Sequence, residues 1–233
     1  MLTDAQIQYI HAFCTKKGVK YYDLRSEIVD HLAESIEQKF KENPTINFET
    51  ALKSVYAQFG IFGFGKIVSE REAASLKQLK KLNHQYFNEY FTFSKIGLTL
   101  SIFLILSIPY ILFKSSFDFL YVQCILVYVI CSVLFFILSY KNYKQPPQKL
   151  LSLNWMDNVG WMILGLQLPN QILKLISNEA TLSLNPSPLW LSILLTGFTT
   201  LGILYLIAKL HVRKMMYHKA KTDYPLAFMQ ADI

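Results

Sequence analysis

Phe119 to Tyr140 reads Phe-Leu-Tyr-Val-Gln-Cys-Ile-Leu-Val-Tyr-Val-Ile-Cys-Ser-Val-Leu-Phe-Phe-Ile-Leu-Ser-Tyr, 22 residues without one charged side chain. A bilayer core about 30 Å thick is crossed by about 20 apolar residues in a helix, so this stretch reads as a membrane span. Ile96 to Phe113 is 18 residues long and equally free of charge, with Pro109 near its end. Membrane helices accept proline where neighbours satisfy the freed carbonyl. Leu189 to Ala208 is a third such run, and a weaker one covers 151–168, where Asn154, Asp157, Asn158 and Gln167 interrupt the apolar pattern. Pro169 ends or kinks it. The expected spans are therefore 96–113, 118–140, 151–168 and 189–208.

Composition agrees with this reading. Of 233 residues, 52% are apolar and 17% charged, against about 25% charged in an ordinary soluble domain. Disorder, a collagen-like repeat and a disulfide scaffold are excluded. The three cysteines, Cys14, Cys124 and Cys131, have neither framework nor zinc spacing.

Charge sets the expected topology. Residues 1–90 carry 12 basic and 11 acidic side chains, whereas 91–233 carry 11 basic and only five acidic ones. Lys141, Lys144 and Lys149 follow the second run, and Lys209, Arg213, Lys214, Lys219 and Lys221 follow the last. Cytoplasmic loops carry such excesses, so an even number of crossings separates the two clusters. Four helices satisfy that condition, with both termini cytoplasmic and external loops near 114–118 and 174–188. The amino terminus has no basic segment followed by an apolar core, so no cleavable signal is expected and 1–80 stay in the cytoplasm. A basic excess flanking apolar runs points to anionic lipid rather than nucleic acid, with Arg213, Lys214, Lys219 and Lys221 as the lipid-binding set in a basic tail, 209–233. Tyr86, Phe87, Tyr90, Phe91 and Phe93 mark 81–95 as an aromatic linker helix at the membrane surface.

The first 80 residues read as a small helical domain. Thr3 and Gln6 form a capping box, and a helix follows until Gly18. A second helix runs from about Tyr22 to Lys41, and Asn47 caps a third that Gly60 stops. Gly63-Phe64-Gly65 reads as a turn or helix start, since no strand precedes it and no Lys-Ser/Thr follows. A fourth helix from about Lys66 continues towards the first crossing.

The second helix carries the functional expectation. At 100° per residue, Leu24, Ile28, Val29, Leu32, Ile36 and Phe40 share an arc of about 160°. Asp23, Glu27, Asp30, Glu34 and Glu37 fall in an arc of about 80° opposite, with His31 at its edge. Such a face serves as a solvated surface, as a dock for a basic partner (this chain's own tail or another protein), or as a metal site. Glu27, His31 and Glu34 stand at i, i+4 and i+7, which suits a carboxylate–His site in a bundle. The matching second Glu-x-x-His half is missing, so no metal and no cofactor is expected. The docking face comprises Asp23, Glu27, Asp30, His31, Glu34 and Glu37.

Leu2-Thr3-Asp4-Ala5-Gln6-Ile7, then Tyr22-Asp23-Leu24-Arg25-Ser26-Glu27-Ile28-Val29-Asp30-His31-Leu32, then Ile36-Glu37, Phe48-Glu49-Thr50-Ala51 and Phe59-Gly60 resemble a known amino-terminal module. It is similar to the HAAS-type signalling domain that heads bacterial membrane proteins and is often encoded beside PadR-like transcriptional regulators. The resemblance covers about residues 1–80. It implies a cytoplasmic helical interaction domain on a membrane anchor, and it brings no enzymatic activity.

No His-Glu-x-x-His, Gly-x-Ser-x-Gly or Walker loop occurs, so no catalytic residue is expected. Asn154, Asp157, Asn158 and Gln167 form an intramembrane polar set, for a substrate path or for packing against another membrane protein. Four helices without an internal repeat make a poor transporter. The sequence thus reads as an all-α, non-enzymatic inner-membrane protein: a cytoplasmic helical domain that binds a protein partner, then four membrane helices. Signalling to a transcriptional regulator leads, an accessory or assembly subunit of a membrane complex is the alternative, and a small transporter is third.

Overall fold

The computed structural model describes residues 1–113, 117–143, 145–157 and 189–229, and among them every regular element is helical. The chain divides into two compact units. The first joins Met1–Leu79, Gln145–Met156 and Met216–Ile233; the second joins Lys80–Lys144 and Asp157–Met215.

The first unit is built on α1 (Asp4–Lys16), α2 (Tyr22–Glu42), α3 (Phe48–Ala57) and the start of α4 (Gly65–Asn88). Thr3 and Gln6 close the expected capping box, with Thr3 N donating to Gln6 Oε1 at 2.8 Å and Gln6 N to Thr3 Oγ1 at 3.3 Å. Asn47 Oδ1 accepts from Thr50 N at 2.8 Å and starts α3. These caps satisfy amide donors that the first helical turn leaves unpaired.

Helices α1 and α3 both pack against α2. The α2 stripe read from the sequence is buried as Leu24, Ile28, Val29, Leu32 and Ile36. Ile10, Cys14, Val19, Ala51, Leu52, Val55 and Phe64 complete the core around it. Burying one large apolar side chain stabilises by about 1.5–3 kcal/mol. Like-charge pairs along α2 cost only about 0.2–0.5 kcal/mol each, so packing decides the helix. Burial pushes the Cys14 thiol up to about 11, and it fills space as a small apolar group.

The α3–α4 connection is a run of tight turns in which Gly63 adopts φ +50°. A Cβ there would lie 2.4 Å from the Tyr56 hydroxyl, so the turn needs glycine on both counts. The turns bury Phe64 among Phe13, Tyr56 and Phe59, with ring centroids 4.9–6.5 Å apart, and leave Ile61 and Phe62 exposed.

Two segments join this unit that the sequence reading placed elsewhere. Leu150, Leu151 and Leu153 are buried, and Leu151 belongs to the same core cluster as Ile10 and Leu32. Leu151–Asp157 is a short 3-10 helix, which corrects the expected third crossing at its start. The remainder of that expected span, 158–168, lies outside the described residues, as do Asn158, Gln167 and the expected loop 174–188. The carboxyl-terminal segment is likewise no free tail. Tyr224 stands edge-on to Tyr22 at 6.4 Å, Phe228 packs on Tyr217 at 5.4 Å, and Gln148 N donates to Ala227 O at 3.4 Å.

The second unit contains α5 (Ile96–Phe113), α6 (Phe117–Asn142), most of α7 (Leu189–Asp223) and the end of α4; the short α8 (Pro225–Phe228) belongs to the first unit. Among the described residues two helices are long and apolar enough to cross a membrane, within α6 and α7, and a third if α4 and α5 count as one bent pair. Four such helices are not found there. Leu104, Ile105, Ile111, Leu126, Ile130 and Leu134 are among many large apolar side chains exposed on α5 and α6. Apolar surface this continuous is out of place in water and fits lipid.

Helix α6 packs on α7 through Tyr128, Phe135 and Leu206, with Cys131 and Leu210 at the edge. Gly202 makes this contact close, since a Cβ there would lie 2.9 Å from the Tyr128 ring. The buried hydroxyls of Thr196, Thr199 and Thr200 donate to the carbonyls of Ser192, Leu195 and Thr196, at 2.7–2.8 Å. Bonding within the helix removes the penalty of a bare hydroxyl in an apolar medium.

Candidate functional site: the acidic face of α2

The acidic face divides between residues that hold the first unit together and residues left exposed. Asp23 sits at the first turn of α2. Its carboxylate accepts from Leu151 N at 2.8 Å and Ser152 N at 3.0 Å, and from Leu24 N at 3.0 Å. It thereby caps the 3-10 helix that carries buried Leu151 and Leu153. Next to it Tyr22 N donates to Lys149 O at 2.8 Å, and the Arg25 guanidinium donates to Gln148 Oε1 and Thr15 Oγ1, both at 3.0 Å. Tyr21 bonds to Glu72 and Asn154; burial and the Glu72 charge hold its hydroxyl above the usual phenol range.

Glu27 forms an ion pair with Arg71 of α4. Glu37 accepts from Leu2 N at 2.8 Å and so ties the amino terminus to α2. Of the six expected docking residues, Asp23, Glu27 and Glu37 thus have partners within the chain. Asp30, His31 and Glu34 remain exposed on one side of α2. Beneath them His11 of α1 has its proton affinity lowered by burial first and Arg25 second, against a smaller opposite effect of Asp30. Two carboxylates and an imidazole within one turn suit an ammonium or guanidinium partner.

Among the described residues no three His, Cys, Asp or Glu side chains come close enough together to hold a metal ion. Glu27 therefore does not join His31 and Glu34 in such a cluster.

The other expected sets also rearrange. Of the expected lipid-binding set, Arg213 is buried in α7 with an interaction of its own, whereas Lys214, Lys219 and Lys221 are exposed. Asn154 lies exposed in the 3-10 helix, and Asp157 is the last residue of that helix.

The sequence reading missed the occupied half of the face because its partners lie 128 and 129 positions away. One signal was present. Leu150, Leu151 and Leu153 follow Pro146-Pro147, and Ala227 and Phe228 follow Pro225, so both segments offer apolar side chains to a core. Comparison with protein-family models, curated proteins and solved structures finds no match to this chain.

Proposed function

We propose that this chain is a non-enzymatic, multi-pass inner-membrane protein whose helical first unit lies in the cytoplasm and binds a basic protein partner through Asp30, His31 and Glu34. The observation that carries the reading is the division of the α2 face. Asp23, Glu27 and Glu37 bond to other segments of the first unit, while the two carboxylates beside His31 have no ion-pair partner among the described residues. The resemblance of residues 1–80 to HAAS-type domains favours a partner in signalling to a transcriptional regulator.

The topology has its own support. The connection after α6 and the segment after α7 belong to one compact unit with the amino terminus. A compact unit lies on one side of a bilayer, and the basic residues that follow α6 and α7 favour the cytoplasm for that side.

Replacing Asp30 and Glu34 with lysine tests the partner. Both are exposed, so the thermal transition should move by less than about 0.5 kcal/mol equivalent. Pull-down from native membranes in mild detergent should then lose a partner that the unaltered chain recovers in a salt-sensitive manner. A cytoplasmic regulator among the lost proteins supports signalling; a stoichiometric membrane complex supports the accessory-subunit reading. Recovery of the same proteins by both chains refutes the docking face.

A further inference from the structure

Helix α4 does not run straight into the membrane. It meets α5 at an angle of 78°, across the 3-10 turn Glu89–Phe91 and the residues up to Ile96. The bend is built from specific contacts. Thr92 N and Thr92 Oγ1 both donate to Glu89 O, and Lys95 N donates to Thr92 O at 3.0 Å. Thr99 Oγ1 of α5 reaches back to Tyr90 O at 2.7 Å, and Lys95 forms an ion pair with Glu89. Two contacts, Lys95–Glu89 and Thr99–Tyr90, thus span the corner. With α5 near the bilayer normal, an angle of 78° lays α4 nearly along the membrane surface.

The sequence of α4 suits that position. At 100° per residue Lys66, Lys77, Lys80, Lys81 and His84 share an arc of about 100° with Ala73 and Glu70. All seven are exposed. No acidic residue lies between Glu72 and Glu89, so the half of α4 nearest the bend is uniformly basic. Leu79 and Asn83, on the other side, are buried. Within the bend Phe91 and Phe93 are exposed, as suits aromatic rings that settle in a membrane interface.

We infer that α4 is an interfacial helix whose Lys77–Lys80–Lys81 face binds anionic lipid headgroups of the bilayer that α5 enters. This rests on the membrane reading above and adds to it a lipid site outside the post-α7 cluster. Lipid phosphates would hold α4 against the cytoplasmic leaflet. Each lysine at an anionic surface multiplies occupancy roughly fivefold, so three together separate a seated helix from a free one.

The test uses the full chain in nanodiscs of neutral lipid and of neutral lipid mixed with phosphatidylglycerol. A fluorescent amino acid placed at Ala73 reports lipid contact through quenching by headgroup-spin-labelled lipid. Probes at exposed Leu134 of α6 and exposed Thr50 of α3 serve as membrane and solvent references. The expected result is quenching at Ala73 well above that at Thr50, dependent on phosphatidylglycerol. Lys77→Glu, Lys80→Glu and Lys81→Glu together should return it to the neutral-lipid level and leave Leu134 unchanged. Ala73 quenching no stronger than at Thr50, or unmoved by the triple change, overturns the inference while quenched Leu134 keeps the membrane reading. Loss of quenching at Leu134 overturns both. Shielding of Ala73 that appears in neutral nanodiscs only on adding cytosol assigns the face to a protein and overturns the lipid site.

Discussion

Asp23→Ala is expected to destabilise the first unit by about 2–4 kcal/mol, because two amides at the start of the 3-10 helix lose a charged acceptor beside a buried leucine. Leu151 N and Ser152 N both depend on this one carboxylate, and Leu151 is packed in the central core. Neither amide can turn to water without withdrawing Leu151. Limited proteolysis of the purified chain should therefore cut within 145–156 before any other change is visible, and the thermal transition should fall. Asp23→Asn keeps one acceptor oxygen and should recover about half the loss. An unaltered transition with Asp23→Ala would remove the 145–156 segment from the unit.

Phe64→Ala is expected to cost more, about 3–5 kcal/mol, as a large aromatic removed from a filled core. Phe64 is 1% exposed among Phe13, Tyr56 and Phe59, whereas Phe62, two residues earlier, is 82% exposed. Phe62→Ala should change stability by less than about 0.5 kcal/mol. Denaturant unfolding of the two variants, followed by helical circular dichroism, measures the contrast. Equal losses would mean that the turns at Gly60–Gly65 do not place these rings as described.

What the sequence disclosed and what it hid separate along physical lines. The caps at Thr3 and Asn47 and the buried stripe of α2 depend on residues three or four positions apart, so local spacing reveals them. The apolar runs of α5, α6 and α7 are legible for the same reason, since length and lack of charge alone mark them. In the sequence Asp23 reads as part of a uniform acidic face because nothing in α2 distinguishes it from Asp30. Its role depends on a loop that folds back from beyond α6. In the sequence Leu151 reads as the start of a crossing because a short apolar run beside polar residues suits a membrane boundary as well as a core turn. The bend at 89–95 was missed because Thr92 and Ser94 are weak helix breakers on their own. The bend arises from Thr99 and Lys95 reaching back across it. Arg213 was counted with exposed cations since charge predicts exposure on average, and packing within α7 overrode that rule.

The amino-terminal helices, the connection after α6 and the segment after α7 form one compact unit, and we place that unit on the cytoplasmic side of a membrane. Alkaline phosphatase, which is active only outside the cytoplasm, fused after Ile233 tests it most directly, with a fusion after Glu179 as the external reference. An inactive reporter at Ile233 and an active one at Glu179 are expected. An active reporter at Ile233 would place the end of the chain across the membrane from its beginning and contradict the claim.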